Sequence, residues 1–309
     1  MRILTAGETM VLLDGVEGGG LQLEAPFRLR IGGAESNFGI ALARLGVGVT
    51  WVSRLGADPL GDLLHATLAA EGLDLTYVEP DATAPTGVFF KWHEDGENRI
   101  LYRRAGSAAS RLRPESVPDE AFAGAALVHL TGITMALSKS AREMVLSVAR
   151  RAKDRGCTIT FDPNYRPALW PGVREAEARQ RAVLPFVDWY FCGEGEGHLL
   201  FGTASPTELR QAIREAGAGD AAVRLGARGA VVWENDREVE VPPLRLEDVV
   251  DEIGAGDGFA AGFAFGLLQG WPAARCARAG NLTAAHALRS TGDWETFPRL
   301  AEVAADLEA

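Results

Sequence analysis

The sequence predicts an α/β protein built on a doubly wound, mainly parallel sheet with a small projecting β-sheet. From residue 34 onward, short apolar runs of strand length alternate with segments that carry the apolar period of a helix. Residues 9–31 and 86–104 break this rhythm, because each contains two strand-like runs joined by turn residues, at 17–20 and 94–98, and neither has a helix to cover it. We interpret these two stretches as one sheet that forms a lid over a ligand. The remaining α/β core comprises residues 1–8, 32–85 and 105–309.

Three segments of the core show the helical period clearly. The first carries apolar residues from position 38 to 45 and ends at Gly46. The second begins with Asp58 as N-cap and Pro59 as its first residue, and Gly72 follows its end. The third has its apolar stripe between residues 141 and 152. The predicted strands between such helices are residues 47–53, 126–131, 158–162, 189–192 and 221–225.

Composition limits the function classes. The 309 residues are 47% hydrophobic, and the formal net charge is −11, so we expect no nucleic-acid-binding surface. The longest uncharged run, 258–274, is interrupted by Gly and Pro, so we expect no membrane span. Glu8 interrupts any secretory signal, and the three cysteines and five histidines lack metal-ligand spacing. These features are typical of a reduced cytoplasmic protein without structural zinc.

A candidate phosphate site lies at Gly254-Ala255-Gly256, directly before an apolar helix. The N-terminus of such a helix presents free backbone N–H groups, and glycine lets an anion approach them closely. Asp257 lies in the same turn, where a carboxylate can accept a proton from an attacking hydroxyl group. The alternative is an Asp that only stabilises the helix dipole behind a glycine packing contact.

This segment, with Asp251 upstream and small residues at 260–262, resembles the C-terminal motif of the ribokinase-like (PfkB) carbohydrate kinases. The N-terminal motif of that family is matched by residues 32–37, Gly-Gly-Ala-Glu-Ser-Asn, roughly 220 residues earlier. The resemblance covers nearly the whole chain. It implies an ATP-dependent sugar kinase with Asp257 as catalytic base and the backbone of 254–256 as anion hole.

The resemblance also implies that ATP lies along the C-terminal half. In such kinases Arg224, Gly226 and Gly229 correspond to a strand and turn beside the nucleotide, and Asn281 falls near the adenine. The alternatives are a pair of β-turn glycines and an exposed Asn on a helix.

Magnesium is expected because the triphosphate charge must be neutralised. The family usually has an Asn-x-x-Glu element that orders water and magnesium near the phosphates. Glu196 matches its acidic residue, which implies an indirect, water-mediated metal contact, but Gly193 stands where the Asn is usual.

At the sugar end, the backbone at Gly33 and the amide of Asn37 are candidates to contact sugar hydroxyls. The alternative is that the glycines only permit a strand-to-helix turn. Alternation along the second lid strand places Tyr102 and Arg104 on one face, and Arg166 follows a core strand, at the edge where open α/β sheets bind ligands. Two arginines suit a carboxylate, which favours an acidic sugar; surface salt bridges are the alternative.

Within the family, these elements and a late Gly-Asp resemble the 2-keto-3-deoxygluconate kinase branch. This implies that Arg104 and Arg166 hold the substrate carboxylate and that Asp293 contacts a hydroxyl group. Phe89 occupies a position where a substrate-contacting Tyr is expected. The leading prediction is therefore transfer of the ATP γ-phosphoryl group to a primary hydroxyl of 2-keto-3-deoxygluconate.

Other readings remain open. The same chemistry on fructose or ribose is the nearest alternative, and a non-catalytic sugar sensor is the next. A nucleotide-binding oxidoreductase would need a Gly-x-Gly-x-x-Gly segment after the first strand, where the chain instead reads Ala6-Gly7-Glu8-Thr9. The expected partners are a sugar acid, ATP and a second copy of the chain, bound through the exposed lid sheet.

Overall fold

The computed structural model describes residues 1–16, 20–94, 97–244 and 249–308. Its strands are β1 (Arg2–Ala6), β2 (Met10–Gly15), β3 (Phe27–Gly32), β4 (Gly48–Gly56), β5 (Val78–Asp81), β6 (Val88–Glu94), β7 (Glu97–Arg103), β8 (Ala125–Thr131), β9 (Thr158–Asp162), β10 (Trp189–Gly193), β11 (Asp220–Arg224), β12 (Ala230–Glu234) and β13 (Arg237–Val241). Its α-helices are α1 (Ala34–Arg44), α2 (Pro59–Ala70), α3 (Gly132–Leu137), α4 (Lys139–Asp154), α5 (Val173–Arg181), α6 (Glu194–Phe201), α7 (Pro206–Glu215), α8 (Ala255–Leu268), α9 (Ala273–Ala287) and α10 (Leu300–Glu308).

Nine of the described strands form one sheet in the order β13-β12-β11-β10-β9-β8-β1-β4-β5. All neighbours from β11 to β5 run parallel, whereas β12 is antiparallel to both of its neighbours. The β12–β13 turn contains Asn235 and Asp236 at φ 50° and 62°, as tight hairpins require. The predicted fold class is confirmed, and this antiparallel edge hairpin is an addition to it.

The sheet separates two hydrophobic cores, because consecutive strand residues point to opposite faces. On β1, Ile3 belongs to the core that includes residues of α1, α2, α8, α9 and α10, and Leu4 belongs to the core that includes residues of α3 to α7. Leu127 and Val128 on β8 divide in the same way. Helices therefore cover both faces, and the loops at the carboxyl ends of the parallel strands remain free to build a site.

The three predicted helices form, and the two whose ends were predicted have them at the expected residues. Gly46 and Gly72 follow α1 and α2 at φ 82° and 87°, the left-handed region that glycine adopts without strain. The Asp58 side chain caps α2 by accepting a hydrogen bond from the Gly61 N–H at 2.8 Å. In α4 the buried residues are Ala141, Met144, Val145, Val148, Ala149 and Ala152, which are the predicted stripe.

The second sheet, called the small sheet here, has the order β3-β2-β6-β7. Its strands come from both predicted segments, and β2 joins them by pairing antiparallel with β3 and parallel with β6. One face buries Met10, Leu12 and Phe89. The predicted turns include residues 17–19 and 95–96, which lie outside the described residues. No helix in the described part of the chain is long and apolar enough to cross a membrane.

Candidate active site

A cleft of about 530 Å³ lies between the small sheet and the carboxyl ends of the parallel strands. This is the edge at which open α/β sheets bind ligands. The predicted site residues that line the cleft are Gly33, Asn37, Phe89, Tyr102, Arg104, Arg166, Glu196, Arg224, Gly254, Gly256, Asp257 and Asp293.

The phosphate end of the cleft is the start of α8. Gly254 caps the helix at φ 82°, and a Cβ at this position would lie 1.9 Å from the Asp293 carbonyl oxygen, so only glycine fits. The first turn of a helix leaves N–H groups without intrahelical acceptors, and here Gly254, Gly256 and Asp257 border the cleft. The geometry therefore suits an anion.

Asp257, in the same turn, is held by two amides from other elements. Asn37 Nδ2 on α1 donates to its Oδ2 at 2.9 Å, and Asn164 Nδ2, after β9, donates to Oδ1 at 3.4 Å. Burial raises the Asp257 pKa to about 7, against the Asn37 hydrogen bond, and the Asp162 and Asp293 carboxylates add to the rise. A carboxylate with this pKa is matched to proton transfer near neutral pH.

Asp293 faces the same space from the loop after α9. Burial raises its pKa to about 7, and the Lys91 ammonium group opposes that rise. Its Oδ1 is buried without a hydrogen-bond partner among the described residues. A buried polar atom of this kind needs a partner, so Asp293 is available to a ligand hydroxyl group.

At the sugar end, Gly33 lies against the chain that leaves β1. A Cβ here would lie 2.2 Å from the Glu8 carbonyl oxygen, so the close approach requires glycine. The Gly33 N–H donates to Asn37 Oδ1 at 3.4 Å, and the Asn37 amide also donates to Asp257. Asn37 therefore connects the sugar end to the Asp257 carboxylate.

The small sheet contributes an aromatic stack. Phe89 and Tyr102 are cross-strand partners with ring centroids 5.6 Å apart, and the Arg104 guanidinium lies 5.6 Å from the Tyr102 ring centroid. Tyr102 and Arg104 border the cleft and Arg103 does not, as the alternation predicts. Phe89 presents a ring without a hydroxyl group.

The two predicted arginines differ sharply. Arg104 is 6% exposed and is paired with buried Glu8, whose Oε2 lies 2.5 Å from Arg104 Nη2. Arg104 Nη1 is buried and has no partner among the described residues. Arg166 is exposed at the cleft, and its one hydrogen bond within the described part of the chain is a 3.4 Å bond to the Tyr165 carbonyl. Among the residues that the structure describes, neither arginine forms the surface salt bridge that was the alternative.

Arg224 lies beside the phosphate end in an acidic setting. Its Nη1 lies 2.5 Å from Asp162 Oδ2 and donates to the Gly256 carbonyl at 3.2 Å, and its Nη2 is 3.7 Å from Glu196. Burial alone would lower the pKa of Arg224, but the two carboxylates raise it above its ordinary value. These contacts tie the end of β11 to the start of α8.

The oxygen atoms near this end fit a magnesium ion that is held mainly by phosphate and water. Asp162, Glu196 and Asn164 border the cleft, and Asn164 Oδ1 is buried without a partner among the described residues. Glu196 accepts hydrogen bonds from the Tyr165 and Gly193 N–H groups. The described residues contain no group of three or more His, Cys, Asp or Glu placed to hold a metal by themselves, and magnesium commonly keeps several waters.

Four predicted residues do not line the cleft, namely Ala255, Gly226, Gly229 and Asn281. Ala255 belongs to the first turn of α8, where its backbone, and not its side chain, is the predicted group. The Asn281 amide donates to the Val241 and Pro242 carbonyls, and a Cβ at Gly229 would lie 2.1 Å from the same Val241 carbonyl. Asn281 and Gly229 therefore meet at the end of β13.

Three important residues were not among the predicted site residues. Asp162 and Asn164 were visible as Asp-x-Asn after a strand, a pattern typical of ligand-binding loops at the sheet edge. Glu8 directly follows β1 and pairs with a residue 96 positions away. A single carboxylate at a strand end carries no sequence signal for such a partner.

The fold, a helix N-terminus that suits an anion and the carboxylate beside it are typical of phosphoryl-transfer enzymes of the α/β class. The chain matches the model described as pfkB family carbohydrate kinase over residues 2–299, and it belongs to that family. The family relationship and the enzyme class predicted from the motifs, an ATP-dependent carbohydrate kinase, are confirmed.

One curated relative and two solved structures illustrate the similarity within the family. The chain is 35% identical to the 2-dehydro-3-deoxygluconokinase of Bacillus subtilis over 308 residues, which cover 99% of this chain and 95% of the relative. A PfkB protein from Polaromonas sp. JS666 has a TM-score of 0.89 at 34% identity and covers 98% and 99% of the two chains. A putative ribokinase II from E. coli, solved with ATP and Mg²⁺, has a TM-score of 0.89 at 25% identity over 99% of each chain.

Proposed function

We propose that this kinase transfers the γ-phosphoryl group of ATP to a primary hydroxyl of 2-keto-3-deoxygluconate, the compound called 2-dehydro-3-deoxygluconate in the name of the Bacillus relative. The observation that carries the proposal is one cleft that holds Asp257 at a helix N-terminus together with Arg104 and Arg166. Asp257 at the helix N-terminus supports phosphoryl transfer, and the two arginines support an acidic substrate.

In the proposed reaction, Asp257 accepts the proton of the attacking hydroxyl group. The hydroxyl oxygen bonds to the γ-phosphorus, and the bond to the β–γ bridging oxygen breaks, so ADP leaves with the electron pair. The N–H groups of residues 254–256 bind the charge on the transferring group. Glu196 would act through water on a magnesium ion, which would supply positive charge to the triphosphate. The small sheet acts as a lid that excludes water.

Charge at the sugar end favours Arg166 as the main partner of the substrate carboxylate. Glu8 compensates the charge of Arg104, whose unpaired Nη1 remains as a hydrogen-bond donor. Arg166 has no carboxylate partner among the described contacts and can bind a carboxylate bidentately. Asn37, Tyr102 and Asp293 are the proposed partners of the hydroxyl groups, and Phe89 and Gly33 shape the wall.

At the nucleotide end, we propose that ATP extends from the start of α8 toward the end of β13. Gly226 and Gly229 form the turn after β11, and Asn281 lies beside Val241, so the three predicted residues meet at one end of the sheet. Arg224 is proposed to stabilise the Gly256 backbone next to the phosphates.

The first test is ATP turnover with Mg²⁺ on 2-keto-3-deoxygluconate, 2-keto-3-deoxygalactonate, fructose and ribose, with Asp257→Ala as the control. We expect turnover on a keto-deoxy acid and its loss in the control. Turnover only on fructose or ribose would refute the acidic substrate and support a neutral-sugar kinase, which the Glu8–Arg104 pairing favours. Absence of turnover on all four, with sugar binding intact, would support the sensor.

We further propose a homodimer formed through the outer face of the small sheet. Cross-strand pairing places Leu13, Leu29, Phe90 and Leu101 on this face, and Leu29 is 52% exposed. Apolar sheet faces of this kind tend to be buried, and an identical copy offers a matching apolar surface. Light scattering should give the molar mass of a dimer, and Leu29→Glu should lower the measured mass toward that of the monomer. A wild-type protein that is monomeric at micromolar concentration would refute the proposal.

A further inference from the structure

Lys91, on β6 of the small sheet, carries a deeply buried ammonium group. The residue is 3% exposed, and its Nζ lies 3.0 Å from Asp251 Oδ2 and 3.6 Å from Asp14 Oδ1. It also donates to the Thr291 carbonyl oxygen. A buried charge of this kind persists only when it is paired and hydrogen-bonded, and Lys91 is both.

Every strand of the small sheet contributes a polar side chain to the interactions around Lys91. Polar side chains of Asp14, Arg30, Lys91 and Asn98 come from β2, β3, β6 and β7. Arg30 lies 3.0 Å from Asp14 and 2.6 Å from Glu295, and Asn98 Nδ2 donates to Asp251 Oδ1 at 3.4 Å. These interactions connect the small sheet with two loops of the α/β core.

The two loops are those that build the phosphate end. Asp251 Oδ1 accepts a hydrogen bond from the Ile253 N–H at 3.2 Å, and Gly254 follows directly. Thr291 precedes Asp293 by two residues, and the Asp293 carbonyl packs against Gly254 so closely that a Cβ there would lie at 1.9 Å. Lys91 therefore contacts both of the loops that pack against each other at Gly254.

We propose that Lys91 is a positioning residue, whose ammonium group holds the 251–254 and 291–293 loops in the arrangement that forms the anion hole. Because Lys91 belongs to the small sheet, the two loops adopt the arrangement that binds phosphate only when the small sheet is packed over the cleft. The inference rests on the proposed kinase reaction but not on which sugar is phosphorylated. Lys91 itself borders no part of the cleft.

The test compares Lys91→Met with Arg210→Met. Arg210 is the matched control, since it is also a largely buried cation paired with carboxylates, Asp220 and Asp236, and none of its described contacts involves either loop. We expect Lys91→Met to lower kcat about tenfold to a hundredfold, because small misplacements of reacting groups cost that much. The control should keep kcat. An unchanged kcat in Lys91→Met would overturn the proposal.

A second variant separates positioning from an unpaired buried charge. In Lys91→Met/Asp251→Asn both charges are removed, and Asp14 keeps its Arg30 partner. We expect this variant to recover the thermal stability of the wild type but not its kcat. Recovery of kcat together with stability would overturn the proposal, since the lysine would then be needed only to neutralise Asp251.

A third measurement does not depend on turnover. Amide hydrogen exchange should be faster in residues 251–258 and 291–297 of Lys91→Met than in the wild type and in Arg210→Met. Exchange that is unchanged in these segments would contradict the proposal even if the wild type phosphorylated none of the tested sugars. Failure of the kinase proposal and failure of the Lys91 proposal are therefore distinguishable.

Discussion

The two ends of the cleft are built in different ways. The phosphate end is mostly a contiguous segment, in which Gly254 and Asp257 belong to the cap and first turn of one helix. The sugar end is assembled from distant parts of the chain, and its ion pair joins Glu8 to Arg104 across 96 residues. In the proposed reaction, the groups that transfer the phosphoryl group therefore depend on local geometry, whereas the groups that select the sugar depend on how the small sheet packs on the core.

The largest expected effect is at the phosphate end. Asp257→Asn keeps the size of the side chain and one acceptor oxygen for the Asn37 or Asn164 amide, but it cannot accept the proton. A general base contributes about 10²–10⁴-fold, so kcat should fall by that factor while the KM for ATP changes little. Steady-state kinetics measure both, with circular dichroism to verify the fold. A kcat within threefold of the wild type would exclude Asp257 as the base.

The next effect is on stability and distinguishes the two arginines. Arg104→Met leaves the Glu8 carboxylate buried without its partner, which costs about 3–5 kcal/mol of unfolding free energy. Arg166→Met changes an exposed side chain and should stay within about 0.5 kcal/mol. Urea unfolding measures both. Equal losses of unfolding free energy in the two variants would contradict the predicted difference between the arginines. The double variant Arg104→Met/Glu8→Gln should recover part of the stability lost in Arg104→Met.

A smaller effect concerns substrate affinity. Arg166→Met removes the exposed cation, and a hydrogen bond to a charged group is worth about 1.5–3 kcal/mol, or roughly a tenfold to hundredfold rise in KM for the sugar acid. The KM for ATP serves as the internal control and should not change. A sugar KM that stays the same would assign the carboxylate to Arg104 Nη1 or to neutral donors.

The difference between features built from a contiguous segment and features assembled from distant residues also explains what the sequence could predict. The 254–257 segment, the caps at Asp58 and Gly72 and the stripe of α4 are local patterns, and the structure has them where they were expected. The paired strands of the small sheet were also predicted, because strand alternation is local. The β12–β13 hairpin was missed although Asn235-Asp236 marks its turn.

Partners distant in the chain could not be predicted. Glu8 neutralises Arg104, and Lys91 reaches Asp251 across 160 residues, but neither pairing leaves a pattern in the sequence around it. The sequence therefore indicated two equivalent arginines at the sugar end. Burial and pairing, which depend on how the small sheet packs, place Arg104 in a buried ion pair and leave Arg166 without a carboxylate partner in the described ranges of the chain.

The smallest expected effect is a shift in pH dependence. Because Asp257 must be deprotonated to act as base and burial raises its pKa to about 7, kcat/KM should rise with pH and level off above that value. Asp293→Asn removes a negative charge that raises this pKa, so the acid limb should move to lower pH. Arg166→Met removes a positive charge that lowers it, so the limb should move to higher pH. Profiles of kcat/KM against pH for the three proteins measure these shifts; shifts in the same direction would show that another group controls the acid limb.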